Sequence, residues 1–159
     1  MKVLYPGTFD PITFGHVDLI ERASEIFEEV LVGVSFHSSK KTLFPFKERI
    51  RLVREVLKDR KNVKVEGFKG LVVDFAHKKG IKVIVRGLRM ISDFEYEFQM
   101  ALTNRKLASD IEVLFLMPQE KFSYFSSTLI KQAFTLGADL GCFLPPVVIS
   151  ALKKRRKKK

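Results

Sequence analysis

Short apolar strand patterns alternate with helical ones along this 159-residue chain, and that alternation restricts the fold more than any single residue does. Val3-Leu4-Tyr5 reads as a strand, and from His16 to about Glu29 the residues Val17, Ile20, Ala23, Ile26 and Phe27 recur at helical spacing. Val30 to Phe36 is a nearly continuous apolar run, as expected of a strand buried on both faces. A polar loop, His37 to Thr42, leads into a helix from about Phe46 to Lys58 that presents Ile50, Val53, Val56 and Leu57 on one side. Val63-Lys64-Val65 alternates as a strand, and Leu71 to Lys79 gives a short helix closed by Gly80. Lys82 to Arg86 is the next strand, followed by Gly87 and a helix over roughly Asp93 to Leu107. Glu112 to Met117 is the fifth strand, and Pro118 ends it.

Strands separated by helices pair in parallel through right-handed crossovers. The expected fold class is therefore α/β: a Rossmann-like, doubly wound five-stranded parallel sheet with helices on both faces. No internal repeat, Pro- or Ser-rich linker or second hydrophobic pattern breaks the chain, so residues 1–152 read as a single domain. A hydrophobic content of 46% suffices for a sizeable core. No apolar run approaches the roughly twenty residues that span a bilayer, and the N-terminus enters a strand without a signal-peptide pattern. The expectation is a cytoplasmic protein with no membrane partner. Cys142 is the only cysteine, which excludes an intrachain disulfide, and it reads as a small buried hydrophobe.

The formal charge of +11 invites a nucleic-acid partner. Seven of the basic residues, however, form the terminal run Lys153 to Lys159, and without them 22 basic residues face 18 acidic ones. That balance suits a protein binding small anions. Residues 153–159 read as a solvated, disordered basic tail, and no aromatic residue interleaves it to stack bases. The expectation is no nucleic-acid partner.

In doubly wound sheets ligands bind beyond the carboxyl ends of the strands, near the point where strand order reverses. The polar and basic residues fall there: Thr8 to His16 after the first strand, Ser38 to Lys41 after the second, Gly70 to Val72, Arg86 to Arg89, and Phe122 to Thr128. Neither Gly-x-Gly-x-x-Gly nor Gly-x-x-x-x-Gly-Lys-Ser/Thr occurs, so phosphates must be held another way. Thr13-Phe14-Gly15-His16 opens a helix, where the glycine admits close backbone approach and the imidazole can donate to a phosphoryl oxygen; alone it reads equally as a satisfied helix-terminal histidine. Arg86-Gly87-Leu88-Arg89 offers two guanidiniums that can grip phosphate bidentately, or a salt-bridged surface pair. Phe125-Ser126-Ser127-Thr128 supplies hydroxyls that cap a helix and can also wrap a triphosphate.

In this order, Tyr5-Pro6-Gly7-Thr8-Phe9-Asp10-Pro11-Ile12-Thr13-x-Gly15-His16, Ser39-Lys40-Lys41, Arg86-Gly87-Leu88-Arg89, Asp93-Phe94-Glu95-Tyr96-Glu97 and Phe125 to Lys131 resemble the bacterial phosphopantetheine adenylyltransferase family, from Tyr5 to about Leu152. The Thr/His-x-Gly-His element marks the wider nucleotidyltransferase superfamily, whereas the Arg-Gly-Leu-Arg and Asp-Phe-Glu-Tyr-Glu segments are more specific. The resemblance implies reversible transfer of AMP from ATP to 4'-phosphopantetheine, giving dephospho-CoA and pyrophosphate, with Mg2+, in a homohexamer inhibited by CoA. It further implies that His16 stabilises charge on the α-phosphoryl group, with Lys40 and Arg89 also catalytic. Thr8, Phe9, His16, Gly87, Leu88, Arg89 and Glu97 would contact ATP, and Phe122, Ser123, Tyr124, Phe125, Ser126, Ser127 and Thr128 would wrap its adenine and distal phosphates. Thr8, Lys40, Val72 and Arg86 would hold the acceptor. No resident metal-ligand set is implied. The chain departs from the family pattern at Phe125, Lys47 and Val72, which bear on pocket shape. A nucleotidyltransferase acting on another phosphorylated acceptor is the alternative; it should lack both arginines around Gly87 and the Lys40 position.

Overall fold

The computed structural model describes residues 1–36, 42–124 and 126–156. Twelve elements follow in chain order: β1 (Lys2–Gly7), α1 (Phe14–Ile26), β2 (Glu29–Ser35), α2 (Phe46–Leu57), β3 (Val63–Phe68), α3 (Val72–Lys78), β4 (Val83–Gly87), α4 (Ile91–Leu107), β5 (Glu112–Leu116), α5 (Glu120–Ser123), α6 (Ser127–Thr135) and α7 (Pro146–Arg156). The strands form one five-stranded sheet in the order β3-β2-β1-β4-β5, and every pairing is parallel. The expected α/β class and Rossmann-like sheet are observed.

Alternation along the central strands divides the core in two, because successive side chains point to opposite faces. Val3, Tyr5, Val30, Val32, Val34 and Val85 face a cluster completed by α1, α2 and α7, through residues such as Ile20, Leu52 and Val148. Leu4, Leu31 and Ile84 face the other cluster, with Val73, Phe75 and Ala76 of α3 and with Ala108 and Ile111. Leu4 and Ile84 are fully buried, each stabilising the fold by about 1.5–3 kcal/mol relative to exposure. This two-sided burial is why β2 reads as a continuous apolar run.

The sheet grows from β1 outward to β2 and β3, and the chain then returns to place β4 on the other side of β1. The switch point lies between β1 and β4. The segments leaving their carboxyl ends, from Thr8 and from Leu88, diverge there and leave a crevice.

Three expectations are corrected. Strand β3 runs to Phe68 instead of Val65, because Glu66, Gly67 and Phe68 continue the ladder against Gly33, Val34 and Ser35. Cys142 is exposed, not buried; Leu140 and Leu144, spaced by four, do the burying in that segment. The basic tail does not begin at residue 153 as a disordered segment, since α7 carries through Arg156. Val148, Ala151 and Leu152 anchor that helix in the core, Arg155 lies over the Phe44 ring at 5.4 Å and 3.5 Å from Glu48, and cations suit a helix C-terminus. Residues 157–159 lie outside the described residues. Helices α5 and α7 are additions to the elements the sequence pattern suggested.

Candidate active site

Two cavities adjoin at the carboxyl edge of the sheet. The first, of about 490 Å³, is lined by backbone and side chains from the β1 turn, by His16, Arg89, Ser126, Thr128 and Lys131. The second, of about 410 Å³, is lined largely by apolar groups, including Phe36, Phe68, Leu71, Val72, Met100 and Leu107. Pro6, Gly7, Thr8, Arg86 and Glu97 belong to both linings. One chamber is polar and cationic, the other greasy, and Thr8 and Arg86 stand where they meet.

The wall between them is the turn that leaves β1. Phe9 adopts φ +49°, left-handed for a residue with a side chain, at a cost of about 1–3 kcal/mol that the surroundings must offset. The turn places the Phe9 ring in the core, 2% exposed, with its edge toward the His16 imidazole at 5.1 Å between centroids. Gly7 is required by that packing, since a Cβ there would sit 2.9 Å from the Phe9 ring.

Thr13 caps α1, and His16 at the third helical position closes a capping box with it. The Thr13 N–H donates to His16 Nδ1 at 3.1 Å, and Thr13 Oγ1 lies 3.0 Å from the same nitrogen. With Nδ1 held as an acceptor, the ring proton of the neutral imidazole sits on Nε2, the ring's remaining donor. Burial lowers the His16 pKa to about 4, and the Arg89 and Arg86 charges push the same way. His16 is therefore neutral at physiological pH and donates without a charge of its own. In the unfolded chain the group ionises near 6.5, so between pH 6.5 and 4 the unfolded state binds more protons; stability falls as pH drops through that window, by on the order of 3 kcal/mol at its acid end. A proton NMR titration of His16 should accordingly show a midpoint near 4 in the free protein, moving upward when an anionic nucleotide offsets the arginine field; a midpoint near 6.5 would contradict this environment.

Arg86 leaves β4 beside the turn. Its Nε and Nη2 form a fork with Glu97 at 2.7 and 2.6 Å, and Nη1 donates to the Pro6 carbonyl at 2.9 Å. Two of its five N–H groups are left over, held in a fixed plane at the junction. Arg89 pairs with Asp93 in the first turn of α4, with Nε to Oδ2 at 3.1 Å. Tyr5 lies beneath, its hydroxyl pushed up to about 12 by burial despite the opposing arginine charges.

On the far side, buried Asp10 accepts the N–H groups of Leu43 and Phe44 at 2.7 and 2.8 Å and pairs with Lys131 at 3.4 Å. It thereby ties the segment entering α2 to α6. Ser126 caps α6 by accepting from the Leu129 N–H, and Ser127 donates to the Pro11 carbonyl. The first turn of α6 thus opens on the polar cavity with backbone donors that anions favour. At Gly15 an added Cβ would meet nothing closer than 3.6 Å, so the fold itself does not demand glycine; the small residue leaves room at the cavity wall.

Of the residues expected at the site, Phe9, His16, Gly87, Arg89, Ser126, Ser127 and Thr128 line the polar cavity and Val72 the apolar one, while Thr8, Arg86 and Glu97 belong to both. Phe122, Ser123, Tyr124 and Leu88 are not among the lining residues. The Phe122 ring packs on Phe14 at 6.4 Å behind Gly15, Tyr124 points outward with 61% exposure, and the Leu88 N–H extends the ladder to the Leu116 carbonyl. Lys40 and Phe125 lie outside the described residues. Sequence reasoning missed Asp10, Thr42 and Lys131; Lys131 was signalled by its position one helical turn after Ser127. Among the described residues no group of three or more His, Cys, Asp or Glu side chains could hold a metal ion, and the cavity carboxylates Asp10 and Glu97 are already engaged. These residues do not form a cation cage of their own.

The fold and its relatives agree. A candidate nicotinate-nucleotide adenylyltransferase from Vibrio parahaemolyticus, known from its crystal structure, superposes with a TM-score of 0.70 over 95% of this chain and 90% of its own, at 21% sequence identity, which speaks for the fold alone. The cytidylyltransferase-like family pattern matches residues 4–133. A phosphopantetheine adenylyltransferase from Moorella thermoacetica is 54% identical over 156 residues, spanning 98% of both chains. The chain belongs to the phosphopantetheine adenylyltransferases within the cytidylyltransferase-like nucleotidyltransferase family.

Proposed function

We propose that this chain transfers AMP from ATP to 4'-phosphopantetheine, forming dephospho-CoA and releasing pyrophosphate in a reversible step of coenzyme A biosynthesis. The observation that carries the reading is the pair of unlike cavities sharing Thr8 and Arg86. ATP fits the polar chamber and the pantetheine arm the apolar one, so the acceptor phosphate meets the α-phosphoryl group at the shared wall. A small, charged acceptor would leave the apolar cavity wall at Phe36, Phe68, Leu71 and Val72 without a ligand to cover it, which weighs against other acceptors of the superfamily.

The acceptor phosphate is anionic at neutral pH, so attack needs no general base. Catalysis rests on in-line placement and on donors fixed where charge develops. The neutral His16 Nε2–H serves the α-phosphoryl oxygens, Arg89 with Lys40 offsets their charge, and Thr8 with Arg86 orients the incoming phosphate. Ser126, Ser127, Thr128 and the α6 N-terminus, with Lys131, take the distal phosphates. Mg2+ belongs to this reading as an ion carried by ATP. A homohexamer is part of the proposal: α4 exposes Phe94 and Phe98, stacked at 5.5 Å, with exposed Leu102 one turn further on, and a patch of this kind suits burial between copies. CoA, which shares the acceptor's arm, is proposed as an inhibitor, and the cytoplasm as the location; no described helix is long and apolar enough to cross a membrane.

Pyrophosphate release tests the reading. Mixed with ATP, Mg2+ and 4'-phosphopantetheine, the protein should release pyrophosphate in step with dephospho-CoA formation, and CoA should slow it. Turnover with nicotinate mononucleotide or glycerol phosphate instead would overturn the acceptor assignment, and a monomeric mass in sedimentation at micromolar concentration would overturn the hexamer.

A further inference from the structure

The side chain of Arg49 is buried, at 1% exposure, and among the described residues no carboxylate pairs with it directly, Asp10 acting on it only as a nearby charge. Its Nη1 donates to the carbonyl oxygens of Thr8 and Ser35, the latter at 2.9 Å, and its Nε donates to the Phe44 carbonyl at 3.3 Å. The Phe46 ring lies under the guanidinium at 5.5 Å. One cation from α2 therefore ties together the exits of β1 and β2 and the segment that Asp10 holds from its N–H side. A desolvated guanidinium is costly to keep, and here that cost is offset by bonds to three backbone carbonyls that an apolar side chain would leave without this donor.

The bond to Thr8 shows what the charge supports. The Thr8 carbonyl belongs to the peptide that leads into Phe9, whose left-handed φ of +49° persists only if its neighbours hold it. Phe9 in turn sets its ring edge against His16. Arg49 thus fixes a peptide plane, the plane fixes a strained residue, and that residue abuts the imidazole and the Thr8 junction. We propose that Arg49 is a positioning residue for the transfer reaction, presetting Thr8 and, through Phe9, His16, without touching either substrate. The proposal rests on the adenylyl-transfer reading above; wild-type pyrophosphate release tests that reading separately.

Lysine keeps the charge but cannot serve three carbonyls from one plane, and Arg49→Lys is the primary variant. A misplacement of around 1 Å at a reacting centre can cost up to about 100-fold. Arg49→Lys should therefore lower kcat by about 10- to 100-fold, with ATP affinity from calorimetry and the KM for acceptor held within a few-fold. In the same folded sample, the NMR midpoint of His16 should move up from its wild-type value, which a purely structural clip would not cause. Arg49→Gln, with fewer donors and no charge, should lose at least as much turnover. Wild-type kcat in either folded variant, an unmoved His16 midpoint, or losses that only track the unfolded fraction would overturn the assignment. So would failure of both variants to fold, which would make Arg49 a folding residue.

Discussion

His16→Ala should lower kcat by about 10²- to 10³-fold, the loss typical of removing one preorganised donor in a polar reaction site, while ATP affinity in calorimetry changes by only a few-fold. The separation follows from geometry. The polar cavity proposed for the triphosphate is also lined by Arg89, Lys131 and Ser126 to Thr128, so ground-state binding should survive one deletion. The α-phosphoryl oxygens gain charge only in transfer, and Nε2–H is the donor that the Thr13 contacts on Nδ1 leave directed elsewhere than the cap. Alanine keeps the Thr13 Oγ1 cap on its own N–H and loses only the return bond of the box, so stability should fall by about 1 kcal/mol. Thr13→Val offers a graded comparison: it removes the hydroxyl but keeps the backbone N–H on Nδ1, and its loss of turnover should be the smaller. Near-normal turnover in His16→Ala would remove the imidazole from the mechanism.

The sheet and the edge that carries the candidate site are largely legible in the amino-acid sequence. The alternation of buried strands and amphipathic helices leads to a parallel sheet, and the sheet puts Thr8, His16, Arg86 and Ser126 on one edge regardless of side-chain detail. Pairings were another matter. Nothing local to Asp10 announces that it will accept the N–H groups of Leu43 and Phe44, more than thirty residues on, or pair with Lys131. Arg49 reads in sequence as one more polar residue on an amphipathic helix, yet it is buried; its partners are backbone carbonyls, which carry no residue-type signal. Helix α7 was obscured by its own ending, because a run of like charges suggests solvation unless the apolar turn of Val148, Ala151 and Leu152 before it is given weight. Cys142 misled in the opposite direction, for a small apolar residue between Leu140 and Leu144 faces out if those two face in.

Arg86→Met should reduce kcat/KM for the acceptor by about 10²- to 10³-fold and also destabilise the protein by about 3 kcal/mol, since it strips the partner from a Glu97 side chain that is only 12% exposed. The two losses have different origins, and a double-mutant cycle distinguishes them. Glu97→Gln leaves Arg86 charged but loosens the fork, so the acceptor KM should rise by about tenfold, the order of 1 kcal/mol expected for weakening one hydrogen bond to a charged group, with a small change in thermal midpoint. Arg86→Met combined with Glu97→Leu replaces the pair by apolar groups of similar bulk, and such replacements are often neutral or stabilising. Thermal stability should therefore return to near the wild-type value. Activity should not return, because the two N–H groups that the Glu97 fork and the Pro6 carbonyl leave over at the junction of the cavities are gone. Recovery of acceptor turnover together with stability would mean that the ion pair merely braces α4 against β4, and the acceptor phosphate would then need another cation to hold it.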